Sequence, residues 1–567
     1  MRVVQWHLCS LVLVACGCSQ DDDGSNDTSG SEVEVVEHGA QVCADTDRSI
    51  APFDRRTSST PAMSDWWIWG GGITAADLDG DGVHELLVAL EQGLELYVYN
   101  AAEDVYDPIG QGLFQALGLT YGSGTTVADY DGDGDLDVYV MRVLPGTTGN
   151  PDPPDTTGLG DNHLLRNDGN LTFTDVTTEA GVSGCDGPAA CYRTMTSSWG
   201  DYDLDGDLDL YVGNYGYVDE TPGTTSGDMT GGEPDFLYRN NGDGTFTDIS
   251  DVIPPEVDIG YTYTGGFYDL DADNDLDLYV INDFGTETRT NSVMWNDPPG
   301  TLTWNAGDTS GLQIRMTGMG LGIGDLNGDK KLDLAIPEWK KNKLLMSYGD
   351  LWIDEADADG FTLDFGRDQQ VGWGTELGDM DNDGDQDIVS QYGFVANDNE
   401  EQWANALSQP DALYTATPDG SGGYTFVDDG VDWGVNDPFM NRGVVLADLD
   451  RDGWLDVGKR DLEGENVLYI SECGQEGWLT IHLRQPGTMN LFAIGAKVEV
   501  EVAGELMLRH LFAGGTGYAS QPPPELHFGL GMHDAVDVIR VIWPDGRQDE
   551  VTGIAARQQV TITRPAL

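Results

Sequence analysis

The sequence predicts an all-β fold, a ring of seven β-rich repeats followed by a small C-terminal β domain. Three observations predict it. A nine-residue acidic motif recurs seven times along the chain. A short hairpin pattern follows it in several copies. Glycine is abundant, at 76 of 567 residues, which suits many tight turns and few long helices.

The acidic motifs begin at residues 77, 129, 201, 269, 325, 379 and 448, at intervals of 52 to 72 residues, the period of a repeat architecture. In the third copy, DYDLDGDLD, Asp201, Asp203, Asp205, Asp207 and Asp209 crowd like charge against an apolar strand, Leu210-Tyr211-Val212. Calcium resolves that conflict, because it takes six to eight oxygens and favours carboxylates and carbonyls. Side chains at positions 1, 3 and 5 of such a loop can converge on one ion. Position 7 adds a carbonyl, and an acid at position 9 closes the shell from the next strand. The other expected ligands are Asp77, Asp79, Asp81 and Glu85; Asp129, Asp131, Asp133, Asp135 and Asp137; Asp269, Asp271, Asp273, Asp275 and Asp277; Asp325, Asn327, Asp329 and Asp333; Asp379, Asp381, Asp383, Asp385 and Asp387; and Asp448, Asp450, Asp452 and Asp456. That gives up to seven Ca2+ sites. Asp207 is expected to contribute mainly its carbonyl, so its carboxylate is expendable, whereas loss of Asp205 should cost the loop its metal.

Position 6 must turn sharply, hence Gly82, Gly134, Gly206, Gly384 and Gly453, with Asn274 in the fourth copy. Position 8 is apolar in five copies and should anchor the loop in the core. The fifth copy departs most: Asn327 replaces an acid, and Lys330 takes the turn position. Weaker metal binding, or a lysine pointing to solvent, is expected there. An EF-hand fits poorly, because its bidentate Glu stands at position 12 between helices; here the flanks are β-type, as in Val138-Tyr139-Val140.

A strand follows each loop, such as DLYVGN from Asp209. HLLRNDGNLTFTDVT from His163 and FLYRNNGDGTFTDIS from Phe236 then read as hairpins around Asn/Asp/Gly turns. Four short strands per repeat, seven times over, predict a seven-bladed β-propeller with calcium loops over residues 46–474. Small residues before the loops, as in Gly320-Leu-Gly-Ile-Gly324, suit inner strands crowded around an axis.

Formal net charge is −73, which repels nucleic acid and anionic lipid and favours cations. The first residues, MRVVQWHLCSLVLVACGCSQ, are too short to span a membrane and read as a secretory signal. LVAC resembles a bacterial lipobox, which makes residues 1–19 a lipoprotein signal with Cys16 as the lipidated residue. Residues 20–45 are expected to be a disordered acidic tether. The protein is thus expected to be exported, as an outer-membrane or surface lipoprotein with the periplasm as the alternative, and to meet membrane only through that anchor. Cys185 and Cys191 should form a disulfide. If the array closes, Cys43 before it and Cys473 after it could meet.

From about Gly477 no acidic loop recurs. Val498, Val500 and Val502 alternate, with turns at Gly504, Gly515 and Asp545-Gly546, so residues 475–567 read as a small β domain. His482, His510, His527 and His533 cluster here; His527, in LHFGLG, reads as a packed strand histidine. Tyr518 and Ser520, in GYASQ, line a small site or simply form a turn.

The DxDxDGxxD loops and the LYRNNGDGTFTD hairpin resemble FG-GAP/VCBS repeats, the calcium-loop blades of integrin alpha subunits and many bacterial surface proteins, over roughly residues 60 to 470. AIGAKV, GGTGYASQ, LHFGLG and VIWPDG resemble the ASPIC/UnbV domain. Together they resemble the cartilage acidic protein group. The resemblance implies calcium binding and leaves activity undefined.

The sequence has no HExxH, GxSxG or GxxxxGK[ST], and no catalytic residue is expected. The expected role is a surface adhesion or ligand-binding module, acting as a monomer on an extracellular protein or glycan. The alternatives are an extracellular enzyme acting on polysaccharide and a purely structural envelope component. Trp66, Trp67 and Trp69 serve either ligand binding or the core.

Overall fold

The computed structural model describes residues 33–40, 53–59 and 70–565, apart from 92, 103–104, 110–113, 115–116, 118, 144–160, 186–190, 217–231, 286–288, 340, 363–369, 394–408, 421–422 and 463–464. Cys16, Cys43 and the three tryptophans at 66, 67 and 69 lie outside the described residues.

Period-2 alternation and glycine turns build sheets. Seven antiparallel sheets follow the repeats in order, and each holds one acidic loop between its first two strands. In the third sheet Thr194–Gly200 enters the loop, Asp209–Asn214 leaves it, and Phe236–Asn240 with Phe246–Asp248 forms the hairpin. The hairpin at His163 has the same form. The seventh sheet takes its fourth strand from the other end of the chain: Asp54–Ser59 pairs antiparallel with Glu465–Ile470. The fold is a β-propeller followed by a smaller β domain.

That smaller domain contains two four-stranded sheets. One joins Lys497–Val502, Glu505–His510, Val538–Ile542 and Gln548–Val551, with Val498, Val500 and Val502 buried as their alternation predicts. The other joins Gly477–Arg484, Leu526–Gly531 and Gln558–Thr563 to an N-terminal strand, Glu34–Ala40. That strand corrects the expected tether over 20–45. Val33 and Val35 pack against the core, while Glu34 and Val36 face outward, so the acidic stretch hides a strand.

The Gly515 turn also has an unexpected role. Residues 513–521 enter the centre of the propeller. Ala513–Gly514 pairs with Ser198 and Trp199 of the third sheet. Gln521 exchanges two hydrogen bonds with the backbone of Val127, at 2.9 and 3.0 Å. Gly517 donates to the Leu321 carbonyl at 2.9 Å, and Thr516 donates to the buried carboxylate of Glu376 at 2.9 Å. Inner-strand glycines make the room: a Cβ at Gly72 or Gly124 would lie 2.1 or 2.0 Å from the Ala519 carbonyl oxygen. Tyr518 is fully buried between Tyr263 and Trp373, so it and Ser520 belong to an internal plug. The largest buried cluster runs from Ile73, Tyr139 and Leu210 through Tyr518 to Leu479 and Phe528.

Cys185 and Cys191 form the expected disulfide. Cys473 is also disulfide-bonded, and its partner lies outside the described residues.

Candidate metal centres

Each acidic loop is held by the same hydrogen bonds. The position 1 carboxylate accepts the position 6 N–H at 2.9–3.1 Å in all seven. The position 9 acid accepts the position 2 N–H at 2.7–3.2 Å. In six loops it also accepts an N–H from the third strand or the residue just after it, at 2.6–2.9 Å. Position 9 therefore ties the loop to its sheet as well as facing the other acids. Position 6 takes a positive φ throughout, from 71° at Lys330 to 110° at Gly384, as its glycines predict. Position 4 does the same, at Leu204, Ala272 and Arg451 among others, which their residue types did not announce.

The carboxylates converge. Oxygens of Asp77, Asp79 and Glu85 lie within 4.8 Å of one another, as do those of Asp129, Asp131 and Asp137, of Asp201, Asp203 and Asp209, and of Asp269, Asp271 and Asp273. In the first three loops these are positions 1, 3 and 9, and position 5 stays outside the group. Asp81, Asp133, Asp205, Asp273, Asp329 and Asp383 are exposed. Asp207 is buried. Asp207 thus lies deeper than Asp205.

Several carboxylate oxygens of these loops are buried without a hydrogen-bond partner: Oδ1 of Asp131, Asp203, Asp207, Asp269 and Asp448. Burying an unpaired anionic oxygen is costly. Burial first, then the neighbouring charges, pushes Asp201 up to about 7. Burial likewise lifts Asp129 to about 7 and Glu85 to about 8. An all-oxygen, anionic, part-buried donor set of this kind fits a hard cation such as calcium.

The fifth loop is different. Asn327 accepts from the Asp329 N–H and donates to the Ser347 carbonyl, at 2.9 and 3.0 Å, and Ser347 Oγ donates to Asp329 at 3.0 Å. Lys330 is half exposed, and its Nζ reaches Glu499 of the C-terminal domain at 2.6 Å. This loop answers its own acceptors.

The C-terminal domain sits on the loop side of the propeller. Met489 and Asn490 donate to the Gly206 carbonyl at 2.9 and 3.0 Å. Gly529 donates to Asp379 Oδ2 at 3.0 Å, and the Lys497 ammonium meets Asp269 Oδ2. A second set of residues was not singled out from sequence. Asn167, Asn240 and Asn296 each donate to the position 8 carbonyl of their own loop and to the position 2 carbonyl of the preceding loop, as Asn240 does to Leu208 and Tyr130 at 3.1 and 3.0 Å. Their signal was the Asn ending LLRN, LYRN and MWN.

Comparison with known proteins agrees with this architecture. The FG-GAP-like repeat model matches residues 77–140 and 269–336, and the ASPIC and UnbV model matches residues 487–566. Cartilage acidic protein 1 of Mus musculus is 23% identical over 510 residues, covering 84% of this chain and 70% of the relative. The Homo sapiens protein of that name is 23% identical over 508 residues, covering 84% and 69%. A solved Agrocybe aegerita lectin, described for its recognition of non-reducing terminal N-acetylglucosamine, aligns over 71% of this chain and 88% of its own, at 15% identity and a TM-score of 0.38. The chain joins FG-GAP-like repeats to a C-terminal ASPIC and UnbV domain and is homologous to cartilage acidic protein 1 over most of its length.

Proposed function

We propose that this protein is an exported calcium-binding propeller that acts as a ligand-binding or adhesion module. The observation that carries the reading is the set of buried carboxylate oxygens without hydrogen-bond partners in the second, third, fourth and seventh loops, beside the converging carboxylates of the first four. Asp129, Asp131 and Asp137 would hold one ion, and Asp201, Asp203 and Asp209 another, with further oxygens from the same loops. The fifth loop, with Asn327 and Lys330, would hold calcium least well. The ions act as scaffold: they neutralise charge at the face where the C-terminal domain sits, and leave ligand recognition to the opposite face and the rim. Cys16 would carry the lipid that holds the protein to a membrane surface. The chain is read as a binder because its conspicuous acids are engaged in the loops.

The test combines a calcium count by mass spectrometry on the purified chain with glycan-array and extracellular-protein binding, with and without EGTA. Several calcium ions per chain and chelator-sensitive retention of a ligand are expected. A calcium-free protein, or turnover of a polysaccharide, would sink the reading.

A further inference from the structure

Position 8 of the acidic loop is leucine in five copies, at 136, 208, 276, 332 and 455, and each is buried in the core. In the first loop it is His84, a buried side chain. Its Nε2 stands 3.3 Å from Glu525 Oε2, and His482 Nδ1 stands 3.6 Å from that same oxygen. The three residues come from the first sheet, from the strand Gly477–Arg484, and from the residue just before the strand Leu526–Gly531. Only the docking of the C-terminal domain on the propeller brings them together.

Both contacts lie within ion-pair reach, and their lengths also match a second arrangement. A charge-assisted hydrogen bond from imidazole to carboxylate closes to about 2.7–2.9 Å, and both contacts are longer. A tetrahedral ion with bonds of about 2.0–2.2 Å holds its donors about 3.3–3.6 Å apart. Both contacts fall in that range. Two imidazole nitrogens with one carboxylate oxygen also form a borderline-soft donor set, unlike the all-oxygen loops.

We propose that His84, His482 and Glu525 form a site for one divalent transition-metal ion of the zinc type, beside the first acidic loop and distinct from its carboxylate set. The site opens on a cavity of about 330 Å³ between the first loop and the C-terminal domain. Arg451, Arg484 and His38 line the same cavity. Three of the eight histidines of this acidic chain therefore meet at one place. Three protein ligands leave the fourth position of a tetrahedral ion free for water or an anion, and the two guanidinium groups favour an anion there.

The test uses the full chain in excess calcium, so that the loops are filled. The protein is loaded with zinc, dialysed against calcium buffer without zinc, and counted by mass spectrometry. Cobalt substitution reads the geometry. One retained zinc per chain and the intense visible bands of tetrahedral cobalt are expected. His84→Leu, which installs the residue of the other loops, should abolish both while leaving the calcium count unchanged. Glu525→Gln, which preserves shape, gives a second variant should the first unfold. Equal zinc retention by the wild type and a folded variant, no retained zinc in either, or a six-coordinate cobalt spectrum would overturn the proposal.

Discussion

Lys497, on a strand of the C-terminal domain, places its ammonium on Asp269, the first carboxylate of the fourth acidic loop. Both side chains are buried, at 9% and 3% exposure. Burial still raises Asp269 above the ordinary carboxylate range, with the lysine pulling the other way. One protein cation thus partly neutralises the first carboxylate of this loop. Removing one partner of a buried pair typically costs about 3–5 kcal/mol. Lys497→Met should therefore destabilise the EGTA-treated protein by about 3 kcal/mol, and the calcium-saturated protein by clearly less. Denaturant unfolding in the two buffers measures the difference.

In the third loop the two roles of the acids separate. Asp209 accepts N–H groups from Tyr202 and Asn240, at 3.2 and 2.9 Å. An asparagine there has one acceptor oxygen, so Asp209→Asn strands a buried N–H at a cost of about 1–3 kcal/mol. It should lower the melting temperature even in EGTA. Asp203 Oδ1 has no such partner. Asp203→Asn should leave the EGTA melting temperature unchanged or raise it, while the calcium count falls by one site.

The fifth loop offers the reverse experiment. Asn327→Asp with Lys330→Gly restores the pattern of the other copies and removes the contact to Glu499. The calcium count should rise relative to wild type. A count that stays the same would mean that the Ser347 contacts, and not the two departures, keep that loop closed.

The pH dependence has a definite sign. In the fold without metal, Asp129 and Asp201 are pushed to about 7 and Glu85 to about 8, chiefly by burial. Unfolded, these groups titrate near about 4. Between those limits the folded chain binds more protons than the unfolded one, so stability is greatest at low pH and falls as pH rises through 7 to 8. Melting temperature in EGTA should drop steadily from pH 5 to pH 8. Excess calcium, which takes the deprotonated form, should flatten or invert that slope.

The acidic loops were legible because their chemistry is local. Alternate residues of a tight loop face one point, and a turn residue at position 6 must take positive φ, as at Gly206 and Asn274. The hairpins were legible for the same reason. Three features were not. The strand Glu34–Ala40 reads as tether because its partner, Gln558–Thr563, lies at the far end of the chain. The plug GGTGYASQ has no periodicity, since its backbone bonds go to inner strands of other sheets and not to a neighbour in sequence. The meeting of His84 with His482 and Glu525 depends on how two domains dock, which no local pattern encodes.

The strand Glu34–Ala40 also governs when this protein can finish folding. His38 hydrogen-bonds to Thr561 across 523 residues of sequence, and Asp54–Ser59 waits for Glu465–Ile470. Pairings this distant form late and slowly. A chain emerging from its N-terminus first must carry Asp54–Ser59 unpaired until Glu465–Ile470 emerges, and Glu34–Ala40 unpaired until Gln558–Thr563 does. Such edges invite aggregation, and the acidic charge that surrounds them keeps waiting copies apart.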